Sequence, residues 1–193
     1  MDQSCFNTPH APRAFGKGCP WHLLCLVLCL LTPLSLANKP LAQQHFDATT
    51  NSIISSIGQI RVTVEDKHRI IWFGGDKGLA SFDGYSFNIY HHVPDDQYSL
   101  SGNAINSLLL DSKKQLWVGT QNKGLSRYNP SNDNFTRFVH KPSNPDSISS
   151  NHIGFKGIIE DKQGNLWFGT NNGGLNRFNP DTEKFERILL SAE

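Results

Sequence analysis

The strongest constraint on this chain is that it writes one stretch three times. Asp161 to Pro180 reads DKQGNLWFGTNNGGLNRFNP and Asp111 to Pro130 reads DSKKQLWVGTQNKGLSRYNP; without a gap, 11 of these 20 positions are identical. A more divergent copy, Asp66 to Gly84 (DKHRIIWFGGDKGLASFDG), needs a one-residue gap. Trp72, Trp117 and Trp167 stand 45 and then 50 residues apart, and each follows an aspartate by six. A fixed period of this length requires stacked, equivalent structural units.

The five-residue difference between the two periods can be placed in the sequence. One residue enters between tryptophan and glycine, since Gly78 is six after Trp72 whereas Gly124 and Gly174 are seven after theirs. Two enter where Tyr128 to Phe135 replaces the shorter Phe82 to Phe87, and two more where Ile153 to Asp161 replaces Ile105 to Asp111. The first two sites are turn-like, where loops grow. The third predicts a bulge in a strand, seated at Gly154 or Gly157.

Each unit reads as four short strands. In the third, Ile153 to Glu160, Leu166 to Thr170, Gly174 to Phe178 and Phe185 to Leu189 alternate with turn sequences. Those turns are Lys162-Gln163-Gly164-Asn165, Asn171 to Gly173 and Asn179-Pro180-Asp181. Ala104 to Val139 and Ile60 to Val93 are the equivalent units. Four consecutive strands with tight turns make a small antiparallel sheet, and a series of these predicts an all-β fold of β-propeller blades. The tryptophans suit the space between blades, the aspartates open hairpins by accepting backbone N–H groups, and Gly78, Gly124 and Gly174 supply turn conformations.

The pattern D-x4-L/I-W-x-G-T/G followed by G-L-x-R-Y/F-N-P resembles the two-component regulator propeller repeat. The connectors His92 to Ser101 (HVPDDQYSLS) and His140 to Ser149 (HKPSNPDSIS) resemble the links between blades of that family. The resemblance covers about residues 60–190. It implies an extracytoplasmic sensor propeller of bacterial hybrid histidine kinases or diguanylate cyclases. In such receptors an immunoglobulin-like connector, a membrane helix and the output domain follow. Since propellers close with about four to eight blades, three repeats imply an incomplete propeller with an apolar face open at each end. Neither end of the repeat region reads as a cap, so further blades and an output domain are expected partners, with assembly of two copies as the other route to closure.

The remaining sequence divides accordingly. Residues 1–37 read as a signal peptide: Arg13 and Lys17, an apolar run from Leu23 to Leu31, Pro33, and the small residues Ser35 and Ala37 before a cut. The run is shorter than the ~20 residues needed to span a bilayer. All four cysteines fall within this leader, so the mature chain would have no disulfide or thiolate site. Residues 38–59 form a polar lead-in segment whose Ile53-Ile54 is expected to add a strand to a neighbouring sheet. The repeats occupy residues 60–193, divided at about 60–102, 103–150 and 151–193.

Signals for chemistry are few. With 18 Lys+Arg against 17 Asp+Glu, the near-neutral chain argues against nucleic acid as a partner. Gly74-Gly75-Asp76 begins like a cyclase signature, but register makes it the turn of the repeat. The histidines His45, His68, His91, His92, His140 and His152 show no metal-ligand spacing, and His91-His92 reads as a solvated strand end. Asn134-Phe135-Thr136 fits a glycosylation acceptor only as a three-residue match. No catalytic, cofactor-binding or metal-binding set can be assembled, so the chain reads as non-enzymatic.

The leading expectation is therefore an exported, periplasmic ligand-sensing module. Following the family, a small molecule such as an oligosaccharide would bind at one mouth of the ring. Thr120 to Lys123, Thr170 to Gly173 and the connectors would line it, their asparagines and aromatics suiting hydroxyls and ring faces. The alternatives are an exported propeller enzyme of lyase or lactonase type and a protein-interaction platform that dimerises. If the leader is cleaved as read, N-terminal sequencing of protein from the extracytoplasmic compartment will begin at Asn38; an intact Met1 on membrane-embedded protein would show an anchor instead.

Overall fold

The computed structural model describes residues 51–188. The leader with its cysteines, the first part of the lead-in segment and residues 189–193, including the expected end of the last strand at Leu189, lie outside the described residues. Twelve strands form three four-stranded antiparallel sheets, each in up-and-down order. Blade 1 contains β1 (Ile60–Glu65), β2 (Ile71–Gly75), β3 (Leu79–Phe82) and β4 (Phe87–Tyr90). Blade 2 contains β5 (Ile105–Leu110), β6 (Leu116–Thr120), β7 (Leu125–Asn129) and β8 (Asn134–Phe138). Blade 3 contains β9 (Ile153–Glu160), β10 (Leu166–Thr170), β11 (Gly174–Asn179) and β12 (Lys184–Ile188). The first strand β5 lies against β1 on one side and β9 on the other, whereas the fourth strands β4, β8 and β12 do not pack on one another in this way, so β1, β5 and β9 mark the axis side.

Side-chain alternation gives every blade two different faces. In β6, Trp117 and Gly119 point toward blade 3, while Leu116 and Val118 point back toward blade 1. The tryptophan face of blade 1 (Val62, Trp72, Leu79) packs on Leu116, Val118 and Phe135 of blade 2. The tryptophan face of blade 2 repeats this on Leu166, Phe168 and Phe185 of blade 3, leaving Trp117 only 1% exposed. Glycine in W-x-G lets the next blade approach: a Cβ on Gly119 would stand 2.7 Å from the Ile153 side chain, and one on Gly74 2.6 Å from that of Ile105.

The six-residue spacing from aspartate to tryptophan has a direct cause. Trp117 Nε1–H donates to Asp111 Oδ2 at 3.0 Å, Trp167 to Asp161 at 2.8 Å and Trp72 to Asp66 at 3.4 Å. The other carboxylate oxygen accepts the backbone N–H four residues on, from Ile70, Gln115 or Asn165, and so closes the hairpin. One side chain thus shapes the turn and satisfies the indole buried in the seam.

Three expectations are corrected. Residues 51–57 form a short helix (α1), not a strand. Ile53 and Ile57 of α1 are buried with Ala80 and packed by Phe73, Phe87 and Ile89, so α1 covers part of the blade 1 face opposite Trp72. The segment before Ile60 therefore acts as a partial cap, docked by the Lys77 N–H on Ile57 O at 2.9 Å. Gly78, finally, does not share the left-handed turn conformation of Gly124 (φ 83°) and Gly174 (φ 71°). Its hairpin is one residue shorter and closes by Gly75 N–H to Gly78 O. Glycine serves there as clearance, since a Cβ on Gly78 would stand 2.9 Å from the His91 ring. The bulge expected near Gly154 and Gly157 is present: the β9–β10 register shifts between Ile153 and Ile158.

The Asp–Trp pairs can be tested from both partners. Trp117→Ala should cost about 3–5 kcal/mol in chemical denaturation, through lost burial and a cavity between blades. Trp117→Phe should cost less, on the order of 1–3 kcal/mol, chiefly by leaving the buried Asp111 oxygen unpaired. Asp161 is held down at about 2, from an ordinary 3.8, first by the Trp167 hydrogen bond and then by Asn165. A lowered carboxylate pKa stabilises the fold above the ordinary value and loses that effect as pH falls through the folded value. Denaturation midpoints of Asp161→Asn should therefore fall less steeply than wild type between about pH 4 and about pH 2.

Candidate functional site

The connectors are built structures and define one rim. The first runs from the end of β4 to the start of β5 and the second from the end of β8 to the start of β9, so each begins and ends at the same rim. The N–H groups of His92 and His140 donate to Asn103 Oδ1 (2.6 Å) and Asn151 Oδ1 (2.7 Å). Each Nδ1–H donates to a connector carbonyl, Leu100 or Ile148, at 2.8 Å. His92 is therefore a half-buried clasp rather than a solvated strand end, while His91 donates to Lys77 O at 3.0 Å. Ser99 and Ser147 hydroxyls accept the N–H groups of Val93 and Lys141. Arg137 of β8 and Arg187 of β12 reach back to Ser99 O (2.8 Å) and Ser147 O (3.0 Å). Buried Ser126 and Asn176 accept Ser101 N–H and Ser149 N–H, each at 2.9 Å.

The same rim gathers the loops after the second strands. Gln121 N–H donates to Ala104 O (2.8 Å), Asn171 N–H to His152 O (2.9 Å) and Asp76 N–H to Gln59 O (3.2 Å). Thr120 to Lys123 and Thr170 to Gly173 thus lie beside the inner ends of the connectors, on the one face expected of them. The first strands are irregular at this rim: register shifts leave Arg61 and Asn106 outside the ladder, and in β9 the insertion enlarges the irregularity to residues 154–157. Arg61 Nη1–H donates to Asn106 Oδ1 (3.1 Å) and Asn106 Nδ2–H to Ile153 O (3.0 Å), so a polar chain crosses all three blades. Phe155 is 62% exposed, and Lys156, at φ 52°, sets its ammonium 5.7 Å from the Phe155 ring centroid.

Charge is uneven. Among the described residues, the second-strand loops and first-strand bulges of this rim carry Arg61, Lys77, Lys123 and Lys156, all exposed, and one carboxylate, Asp76, while the connectors add Lys141 against Asp95, Asp96 and Asp146. Asp76 already accepts Gln59 N–H at 2.9 Å. The opposite rim mixes signs, with Lys67, Arg69, Lys113 and Lys162 beside Asp66, Asp111, Asp161 and Glu160. Cavities at the seams there are about 130 Å³ near Trp117 and about 100 Å³ near Trp72. Both are below the ~300–1,000 Å³ usual for small-molecule pockets. A dish of about 730 Å³ over β11 and β12 has the ion pairs Arg177–Glu186, at 2.7 Å, and Lys184–Asp146, at 2.8 Å, in its lining. On the connector rim a groove of about 490 Å³ runs past Ile54, Gly58, Gln59, Ile60, Asp76 and Lys77. Among the described residues, no three His, Cys, Asp or Glu side chains are grouped to hold a metal. No helix among them is long and apolar enough to cross a membrane. Asn134 of the acceptor-like triplet accepts a hydrogen bond from the Asn129 amide.

The sequence pattern of the two-component regulator propeller family matches residues 99–122 and 147–172, each running from a connector serine into the second strand of the following blade. Those two segments are two-component regulator propeller repeats. Among solved structures, these propeller repeats are similar to the extracellular domain of the putative hybrid two component system BT3049 from B. thetaiotaomicron. Identity is 28% and the TM-score 0.61, over 67% of this chain and 18% of that domain. The extracellular domain of the hybrid two component system BT4673 from the same organism is more distant: 21% identity and a TM-score of 0.42, over 70% of this chain and 26% of that one. The chain thus spans about a fifth to a quarter of the length of these domains. No curated protein sequence matches it.

Proposed function

We propose that this chain is an extracytoplasmic ligand-sensing propeller module of a bacterial membrane signalling receptor. The observation that carries the reading is the likeness to the BT3049 extracellular domain, combined with a rim that leaves Lys77, Lys123 and Lys156 exposed. The module is non-enzymatic and is delivered by the 1–37 leader to the periplasmic side. Its output, of kinase or diguanylate cyclase type, comes from a further domain of the receptor. Further blades complete the ring. Supporting this, Ile159 is 57% exposed on the tryptophan face of blade 3, at the position where Leu109 is packed in blade 2. Trp167, half-buried, stands where Trp117 is enclosed. The ligand is a small molecule, an oligosaccharide by preference, bound on the connector rim.

A thermal-shift screen of the full-length receptor against sugars, amino acids, nucleotides and organic acids tests this. A ligand at a hundred times its Kd adds about 2.7 kcal/mol to stability, so one class should raise the melting temperature saturably. A mass that grows with protein concentration, with no class shifting the melt, would replace sensing with the interaction-platform reading.

A further inference from the structure

Resting on the further blades proposed above, we infer that the open face of blade 3 receives a fourth blade whose third-to-fourth-strand turn supplies a carboxylate to Arg177, drawing the guanidinium over Trp167. Both enclosed seams are closed in this way. At the first, Asp133 of blade 2 accepts the hydroxyl of Tyr90 of blade 1 at 2.8 Å. At the second, Glu183 of blade 3 grips Arg127 of blade 2 at 2.7 Å. The two carboxylates directly precede β8 and β12 in left-handed backbone positions, φ 48° and 53°, and each reaches back to the blade before it. What differs is the donor on the tryptophan face. Opposite Trp72 in the ladder stands Ser81, and the donor is Tyr90; opposite Trp117 stands Arg127, and Phe138 takes the place of that tyrosine. Blade 3 repeats the second pattern: Arg177 stands opposite Trp167, and Ile188, without a hydroxyl, occupies the place of Phe138.

Among the described residues Arg177 meets only Glu186 of its own sheet, at 2.7 Å, with the two side chains 47% and 57% exposed, whereas Arg127 is 21% exposed. An ion pair in solvent contributes little. Trp167 is half-buried and Ile159 is exposed beside it, so a blade that covers them also buries the cation, and a buried guanidinium demands an acceptor. Glu186 lies on the outermost strand, whereas a turn carboxylate arrives at the tryptophan, as Glu183 does where Arg127 lies 5.7 Å from the Trp117 ring centroid. Lys184 and Arg187 of the same strand are already engaged, by Asp146 and by the connector. A second copy of this chain offers no equivalent acid. The corresponding turn of blade 1 is two residues shorter, and its Asp83 is spent on the turn itself, accepting Tyr85 N–H at 2.8 Å and Ser86 N–H at 2.7 Å. The face of blade 1 that would meet blade 3 is also partly covered by α1. The occupant is therefore a further blade of the receptor, with the longer turn.

Chemical denaturation of the full-length receptor, read on the propeller transition, tests the inference. Trp167→Ala should lower the midpoint about as far as Trp117→Ala, since both tryptophans are then enclosed. Arg177→Gln should lower it as far as Arg127→Gln, and Glu186→Gln should leave it at the wild-type value. Neutralising the turn carboxylate of the following blade should reproduce the Arg177→Gln loss, and the two changes together should lower the midpoint no further than either alone, as for a coupled pair. A following blade with no carboxylate in that turn, additive losses, or a Glu186→Gln loss equal to that of Arg177→Gln would overturn the inference. In each of those cases a full Trp167→Ala loss leaves the further blade standing. Midpoints that rise with protein concentration, with the variants' losses vanishing on dilution, would put a second copy on this face and overturn it as well. If Trp167→Ala and Arg177→Gln both leave the midpoint unchanged, no blade covers the face, and the completed ring falls together with the inference.

Discussion

Every seam between blades depends on an aspartate that accepts an indole N–H. Tryptophan fills the gap between two small sheets better than any other side chain, but its N–H cannot be buried without a partner. The Asp111 carboxylate answers this from the hairpin that leads into the same strand, so the partner arrives with the tryptophan and not from the neighbouring blade. Its second oxygen fixes the turn by accepting Gln115 N–H. Local turn chemistry and long-range packing therefore demand the same residue. That agreement across levels is what lets one short motif be copied along a chain.

A second link crosses each seam and varies in chemistry while keeping its place. Asp133 and Glu183 occupy the same point of the β7–β8 and β11–β12 turns, with φ 48° and 53°. Asp133 accepts the hydroxyls of Tyr90 and Tyr128, both at 2.8 Å, and Trp72 packs against the two rings. Burial and that carboxylate push the Tyr128 hydroxyl well above its ordinary range. At the next seam Phe138 and Phe178 stand in place of the tyrosines, and Glu183 instead grips Arg127 at 2.7 Å. The Arg127 guanidinium lies 5.7 Å from the Trp117 ring centroid, so charge and aromatic packing still meet at the seam. In blade 3 the equivalent Arg177 turns to Glu186 of its own sheet.

The strands, their order and the turn insertions were legible because alternation, aspartate, tryptophan and Asn-Pro recur in register. The connector clasp was not. Arg137 and Arg187 act on carbonyls about forty residues earlier in the chain, and a backbone acceptor leaves no mark in sequence. Their spacing of 50 residues and the matching pair Ser126 and Asn176 were the available signs. The helix over residues 51–57 escaped for a related reason. Ile53-Ile54 has β-branched side chains, and what holds it helical is an apolar surface at Ala80 and Ile89. Those two positions correspond to Ser126 and Arg137 in blade 2, so blade 1 exchanges a polar connector seat for an apolar helix seat. Only beside their counterparts in the other two repeats do Ala80 and Ile89 carry that information.

The division of labour along each first strand explains why the rim can change while the fold does not. Residues on the ladder are committed twice, to a hydrogen-bonded register and to one of two packed faces, so a one-residue shift would turn core side chains to solvent. The bulge is exempt from both commitments. Arg61, Asn106 and residues 154–157 sit between Ile60, Ile105 or Ile153 and the resumed ladder, and Ile105 and Ile153 still reach the seam. Lengthening the bulge therefore leaves the Asp–Trp pair and the glycine that receives Ile153 untouched. Variation in length and side chain is thereby confined to the axis end of each blade, where neighbouring first strands bring their bulges together into one surface.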